Sequence, residues 1–324
     1  MFRKLVLAAI LAAFFAGPAL ADFPSEDFEC VAPSEPGGGW DITIRAVAKV
    51  LTSEKIITNA MRVISKPGAG GGVGLSYIKG KKNPHTIAVY SPPLLLINLM
   101  GQTRLSYRNL TPLAMLTNDF GAFAVRKDSP YQTVNDLFDA LKKDPGSVSI
   151  SGTSVAGGID HIQFLHAARA AGVDAGSTSY ITFARGGALA ALLDGRADVF
   201  TTTGIAEITG SFVAGDIRIL AITSAERAGE GPFASVPTLR EQGVDAVFII
   251  WRGIFGIPDM PEEARLFMES ALKKMSETPM WADVCKRNNW IPAFMGSADF
   301  TRFLEKTNEE YKSTLASIGF YKQD

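Results

Sequence analysis

The chain has 324 residues, of which 47% are hydrophobic, and its formal net charge is −1 at pH 7. This length is enough for a large core and for more than one domain, at roughly 100–200 residues per domain. The near-neutral charge argues against nucleic acid as a partner, because domains that bind it carry an excess of lysine and arginine.

Residues 1–21 have the features of a cleaved signal peptide. Two basic residues, Arg3 and Lys4, precede an apolar run over residues 5–16, and small residues up to Ala21 fit a cleavage site. The run is too short for a membrane anchor, since a spanning helix needs about 20 residues. We therefore predict cleavage after Ala21 and a periplasmic mature protein.

A glycine loop between a strand and a helix lies near the start of the mature chain. Residues 28–32 form a short apolar run, residues 36–39 read Pro-Gly-Gly-Gly, and an amphipathic segment begins at Trp40. A helix that starts at such a loop directs free backbone N–H groups and the positive end of its dipole at one point, which favours an anion. The glycines also let the backbone approach a bound molecule closely.

The same arrangement of strand, loop and helix recurs three more times. The later loops cover residues 66–74, 151–158 and 183–187. In the 151–158 loop, three residues add hydroxyl groups that also suit an anion: Ser151, Thr153 and Ser154. We expect the rest of the chain to bring the four loops together.

Predicted strands and helices alternate along the chain, which favours an α/β fold with parallel layers. We expect two α/β lobes, with the chain crossing between them near residues 120–124 and again near residues 250–253. The predicted boundaries are 22–122 for the first lobe, 123–251 for the second lobe, and 252–324 for the return to the first lobe and the C-terminal helices.

The main enzyme alternative is an α/β hydrolase with Ser154 as its nucleophile. The segment Gly152-Thr-Ser-Val-Ala156 lies between a predicted strand and helix and nearly matches the motif G-x-S-x-G. A hydrolase needs an acid and then a histidine further along, but His161 and His166 lie in the very next helix. Those two histidines are also five positions apart, on different helix faces, so they predict no metal site. No glycine run matches a dinucleotide-binding or Walker motif.

Several side chains have two interpretations. Arg185, beside two glycines, is either solvated or a clamp for a carboxylate. Arg252, in an otherwise apolar run, either pairs with an internal acid or faces the cleft or hinge. Cys30 and Cys285 are either buried thiols or, in an oxidising compartment, a disulfide. Asp41 is expected to hold the first loop rather than to contact an anion.

Five motifs are specific when taken together. They are Pro36-Gly-Gly-Gly-Trp-Asp41, Lys66-Pro-Gly-Ala-Gly-Gly71, Gly152-Thr-Ser154, Ala188-Leu-Ala-Ala-Leu-Leu-Asp-Gly195 and Trp251-Arg-Gly-Ile-Phe255. With them the chain resembles the extracytoplasmic solute-binding proteins of tripartite tricarboxylate transporters, the TctC-like branch of the Bug receptors. The resemblance implies a periplasmic binding protein fold of type II, whose two lobes close over a carboxylate. It also implies delivery of that ligand to two membrane permease subunits.

The resemblance also implies which residues hold the ligand. First-lobe loops would bind a carboxylate mainly through backbone amides and hydroxyls, and second-lobe loops would hold the other end. Carried over to this chain, the ligand-binding residues are Ser34, Pro36, Gly37, Gly38, Gly39, Gly70, Gly71, Ser91, Ser151, Thr153, Ser154 and Arg185, with Arg252 and Gly253 at the hinge or cleft.

We therefore predict a monomeric periplasmic receptor for a small carboxylate, with citrate or a related tricarboxylate first, that performs no chemistry and needs no cofactor or metal. A subunit that presents its ligand to a membrane kinase is a further alternative, because a fold does not determine function. Closure of the lobes should change the surroundings of Trp40 and Trp251, whereas Trp281 and Trp290 should report little.

Overall fold

The computed structural model describes residues 23–183, 187–228 and 231–322. The predicted signal peptide and Arg185 lie outside these residues. Within them the chain forms two α/β lobes, each built on one β-sheet. None of the described helices has both the length and the apolar character that a membrane crossing requires.

The first lobe contains a six-stranded sheet. Its strands are β1 (Phe28–Ala32), β2 (Met61–Ser65), β3 (Thr86–Tyr90), β4 (Thr111–Phe120), β10 (Ile249–Gly256) and β11 (Ile291–Gly296). Their order across the sheet is β11-β4-β10-β3-β1-β2. Strand β1 runs parallel to β2 and β3, whereas β10 is antiparallel to β3 and β4, and β11 is antiparallel to β4.

The second lobe contains a five-stranded sheet. Its strands are β5 (Ala122–Arg126), β6 (Ser149–Gly152), β7 (Ser179–Thr182), β8 (Val199–Thr202) and β9 (Ile217–Ile222), in the order β7-β6-β8-β5-β9. Strand β6 is parallel to β7 and β8, but β5 is antiparallel to both of its neighbours. The prediction of parallel layers is therefore wrong for the strands next to the lobe crossings. Those strands enter each sheet from the opposite end, whereas strands joined by a crossover helix run parallel.

Helices cover the two sheets. The described helices are α1 (Gly39–Ser53), α2 (Gly72–Lys79), α3 (Pro93–Leu99), α4 (Val134–Lys143), α5 (Ile159–Ala170), α6 (Gly187–Leu193), α7 (Thr209–Val213), α8 (Glu262–Ser276), α9 (Pro279–Asn288) and α10 (Ser297–Ser317). Local signals set several of their ends. Thr133 and Asp136 form a reciprocal cap at the start of α4, and Thr278 caps α9 just before a proline. Helix α10 packs on α3 in the first lobe and on α5 in the second.

The chain crosses between the lobes at two adjoining points. The first crossing is at Gly121, between β4 and β5, and the second lies between Ile222 and the start of β10. Thr223 joins them, because its hydroxyl donates to the carbonyl of Phe248 at 2.7 Å and accepts from the amide of Gly121 at 2.9 Å. Since Thr223 is fully buried, these bonds hold the two crossing segments side by side.

Strand β10 starts at Ile249, ahead of the predicted boundary at residue 251. Arg252 and Gly253 consequently lie inside a strand of the first sheet. Gly253 is paired with Tyr90 on one side and Met115 on the other. The β4–β10 register shifts between Arg252 and Gly253, so the strand is irregular at this point.

The two cysteines are free and buried. Cys30 lies in the middle of β1 and Cys285 lies in α9. Burial raises the pKa of each thiol to about 12, so both stay protonated and unreactive at neutral pH. The structure therefore supports two buried thiols rather than a disulfide between Cys30 and Cys285.

Candidate ligand-binding site

Strand direction places the loops of both lobes beside the crossings. In the first sheet, Tyr90 at the end of β3 is opposite Gly253, and β10 approaches this point from the second crossing. In the second sheet, Thr202 at the end of β8 is opposite Ala122, the residue that follows the first crossing. Strands β1, β2, β6 and β7 run parallel to β3 or β8 and end on the same side. The loops after these strands therefore border the space between the lobes.

The first loop, residues 33–38, follows β1 and leads into α1. Asp41 holds it, as predicted: its carboxylate accepts from the amide of Gly37 at 2.9 Å and from Arg45 at 2.8 Å. The amide of Asp41 in turn donates to the hydroxyl of Ser34 at 3.2 Å. The amides of Gly39 and Trp40, at the start of α1, have no hydrogen-bond partner among the described residues, so they are available to an anion.

The second loop, residues 66–71, packs against the first through Trp40. A Cβ atom on Gly71 would lie 3.0 Å from the Trp40 ring and 3.3 Å from the Tyr90 ring. The indole N–H of Trp40 donates to the hydroxyl of Ser91 at 2.9 Å. Trp40 therefore gathers the two loops and the end of β3 into one cluster, which includes all the first-lobe residues predicted to bind ligand.

The third loop, residues 153–158, is held by a buried carboxylate. Asp160 accepts from the amides of Thr153 at 2.7 Å and Ser154 at 2.8 Å, and from the hydroxyl of Thr203 at 2.7 Å. His161 completes the anchor by accepting from the amide of Gly157 at 2.9 Å. Thr153 and Ser154 thus lie on the loop between β6 and α5, and their contact with a ligand stays a prediction.

The Ser151 side chain has a different place from the one expected. Ser151 is fully buried in β6, and its hydroxyl donates to the carbonyl of Val199 at 3.0 Å. Strand alternation explains the difference, because successive side chains point to opposite faces of a sheet. Ser151 therefore supports the third loop from inside the second lobe.

The surroundings of Ser154 do not suit a nucleophile. Its hydroxyl accepts from the amide of Asp160 at 3.1 Å and lies 3.5 Å from the Tyr180 hydroxyl. His161 stacks on the Tyr180 ring with 4.1 Å between centroids, and its Nδ1 is occupied by the Gly157 amide. Burial lowers the pKa of His161 to about 4. No described histidine is therefore hydrogen-bonded to Ser154 as a general base would be.

Two further polar residues have structural roles. Asp198 accepts from the amide and the hydroxyl of Ser149, at 2.8 Å and 2.6 Å. His85 accepts from the amide of Ser25 at 3.1 Å. Among the described residues, no three His, Cys, Asp or Glu side chains are grouped so that they could hold a metal ion.

A groove of about 790 Å³ lies between the lobes on the side of α9 and β11. The first lobe contributes Asp119 and Trp290 to its lining, and the second lobe contributes Phe233. Burial raises the pKa of Asp119 to about 7, against the opposing effect of the nearby Arg252. Trp251, by contrast, is fully buried. The expected roles of the tryptophans are therefore revised: Trp290 borders the space between the lobes, and Trp251 belongs to the core.

Asp160, Thr203 and Thr223 were not identified from the sequence. An acid in the first turn of a helix is a usual partner for loop amides, so Asp160 carried a usable signal at the start of α5. Thr203 and Thr223 carried none, because their partners are distant in sequence.

Two α/β lobes with anion-suited loops on both sides of one cleft define a solute-binding protein of the periplasmic type. The sequence pattern of one protein family, the tripartite tricarboxylate transporter family receptors, matches residues 44–320 of this chain. The chain therefore belongs to that family. Members are periplasmic binding proteins that work with membrane transporter components, and they are receptors rather than enzymes.

Solved structures agree with this assignment. A TctC solute-binding protein from Polaromonas is 26% identical, with a TM-score of 0.78, over 91% of this chain and 99% of that chain. A Rhodopseudomonas palustris protein with adipate is 20% identical, with a TM-score of 0.75, over 92% and 99% of the two chains. MatC from the same organism, with bound malate, is 18% identical, with a TM-score of 0.70, over 90% and 100%. Because their sequence identities are low, the structures with adipate and malate support only the fold of this chain.

Proposed function

We propose that this protein binds a small acid with two or three carboxylates between its lobes, with citrate or a related tricarboxylate first, and delivers it to two membrane permease subunits. The proposal rests on one observation: each lobe presents a glycine-rich helix start to the same cleft. Each such start suits one carboxylate. A ligand with two acid groups would therefore join the lobes and favour their closure.

The first-lobe end of the ligand is assigned to the cluster around Trp40. The amides of Gly39 and Trp40 have no partner among the described residues, and the hydroxyls of Ser34 and Ser91 lie on the same cluster. The remaining proposed contacts are Pro36, Gly37, Gly38, Gly70 and Gly71. Malate and adipate, found in two structural neighbours, are both dicarboxylates, which is consistent with this arrangement.

The second-lobe end is assigned to Thr153 and Ser154 on the third loop, with Arg185 as a further contact. Delivery to a permease requires the mature protein outside the cytoplasm, and we propose cleavage of the signal peptide after Ala21. A single copy of the chain supplies both halves of the proposed site, so we propose that it acts as a monomer.

Calorimetry and thermal shift with citrate, tricarballylate, malate, adipate and neutral sugars test the proposal. At a ligand concentration of 100 Kd, an acid that binds should stabilise the protein by about 2.7 kcal/mol. Small-angle scattering should show a smaller radius of gyration with the same acid. A response to sugars alone would contradict the proposal.

A matched pair of glycine variants connects binding to the predicted cluster. Gly71→Ala should weaken binding tenfold or more, because φ is +100° there and the new Cβ would meet Trp40 at 3.0 Å. Gly243→Ala introduces similar backbone strain, with φ of +84°, but in open space. Equal loss of affinity in both variants would place the ligand elsewhere.

A further inference from the structure

Arg252 brings a charged side chain from β10 to the start of α1. A Cβ atom placed on Gly39 would lie 3.0 Å from Arg252 Nη1 and 3.4 Å from Nη2. Any side chain larger than hydrogen at that position would therefore compete with the guanidinium for space. The guanidinium also lies over the Trp290 ring, with its Cζ 5.2 Å from the ring centroid. Arg252 thus lies between the first loop and the groove that Trp290 lines.

The charge of Arg252 is not neutralised by contact. It forms no ion pair with any described carboxylate, and its Nε is buried without a hydrogen-bond partner. Thr117, opposite Arg252 in the β4–β10 pairing, is fully buried, and its hydroxyl also has no partner. Asp119 shares this face of the sheet, but its carboxylate accepts from the amide of Phe120 at 2.8 Å.

This arrangement favours an anion. Arg252 is half-buried and its buried Nε has no hydrogen-bond partner, and the start of a helix carries partial positive charge of its own. Placing the two together concentrates positive potential next to the unbonded amides of Gly39 and Trp40. A carboxylate would satisfy both groups, and the planar fork of arginine matches its two oxygens.

We propose that Arg252 determines specificity by binding one carboxylate of the ligand together with the helix-start amides of Gly39 and Trp40. The inference rests on the proposed function and adds to it the residue that would distinguish acids with three carboxylates from acids with two. The loops contribute neutral amides and hydroxyls, whereas Arg252 contributes a full charge. Its effect should therefore grow with the number of acid groups on the ligand.

Tricarballylate and glutarate form a matched pair of probes, because tricarballylate is glutarate with one more carboxylate on its central carbon. In calorimetry, the wild-type protein should bind tricarballylate at least tenfold more tightly than glutarate. Arg252→Gln should remove most of that preference. Arg62→Gln is the charge-matched control, since the Arg62 side chain is 78% exposed and bridges only to Asp27; it should keep the preference.

Gly39→Ala tests the contact without removing the charge. The new methyl group would displace the guanidinium from the helix start, so the preference should fall here as well, even if Arg252→Gln fails to fold. The role of Arg252 would be overturned if the preference for tricarballylate survives both substitutions. It would also be overturned if the wild-type protein binds both acids equally well. Either result would leave the proposed function standing. If the wild-type protein binds no carboxylate at all, the proposed function fails together with the role of Arg252.

Discussion

The helix starts of the two lobes, residues 34–41 and 154–161, follow the same path. Gly37 and Gly157 adopt φ of +81° and +80°. In each segment the next glycine caps the helix in an extended conformation, and a serine hydroxyl accepts an amide from the first turn. The two segments therefore present the same kind of anion-suited surface from opposite sides of the cleft.

Different side chains stabilise this shared backbone conformation in the two lobes. In the first lobe, Asp41 accepts the Gly37 amide and pairs with Arg45, whose side chain is 52% exposed. In the second lobe, His161 takes the corresponding position and accepts the Gly157 amide as a neutral ring. Asp160, only 1% exposed, adds a buried network around it. The comparison shows that both acids are buried, but Asp41 has two partners, one of them a half-exposed arginine, whereas Asp160 accepts four hydrogen bonds.

The largest difference should appear when each carboxylate is removed. Asp160→Ala should lower the free energy of unfolding by about 3–5 kcal/mol, because it leaves four half-buried amide and hydroxyl donors without their charged partner. Asp41→Ala should lower it by about 1–2 kcal/mol, because only the Gly37 amide and the half-exposed Arg45 lose their partner. Urea unfolding of both variants measures the two values. Equal losses would contradict the claim that the anchors differ in kind.

Acid should weaken the second-lobe anchor through His161. Burial lowers its pKa from 6.5 to about 4, so between these values the unfolded chain binds a proton that the folded chain does not. Stability from this group is therefore lost as the pH falls from 6.5 to 4, by on the order of 3 kcal/mol. Protonation would also turn Nδ1 from an acceptor into a donor.

His161→Asn isolates this effect, since asparagine can accept the Gly157 amide without titrating. The variant should lose less stability than the wild-type protein between pH 6.5 and 4, as measured by urea unfolding at each pH. The difference between the two proteins is the useful quantity, because Asp119 titrates with the opposite sign: its raised pKa of about 7 removes stability as the pH rises. Parallel pH profiles would mean that His161 contributes nothing to the trend.

The smallest effect is expected at the exposed end of the first-lobe anchor. Arg45→Gln removes an ion pair whose arginine is largely solvated, so the loss should be below about 1 kcal/mol. Added salt should reduce the difference between variant and wild type further, because exposed charges are screened. Thermal unfolding at low and high salt measures both. A large, salt-independent loss would show that Arg45 belongs to a buried network after all.

Local signals explain what the sequence predicted well. Strands β3 and β7 and helix α4 are set by signals of this kind, because alternation, turns and the Thr133 cap act over short distances. The first three glycine loops lie between a strand and a helix, as predicted, and part of the fourth lies outside the described residues. The place of β10 was not predictable, since its insertion between β3 and β4 depends on partners far along the chain. The approach of Arg252 to Gly39 is a contact of the same long-range kind.

The order of the strands has a consequence for how the chain assembles. Every strand of the second sheet lies within residues 122–222, so that sheet can form from one continuous segment. The first sheet cannot, because β10, the strand that joins β3 to β4, comes after the whole second lobe. Its pairing must close a long loop, which slows folding. The first lobe, whose strands begin the chain, can therefore be completed only after the segment that forms the second lobe.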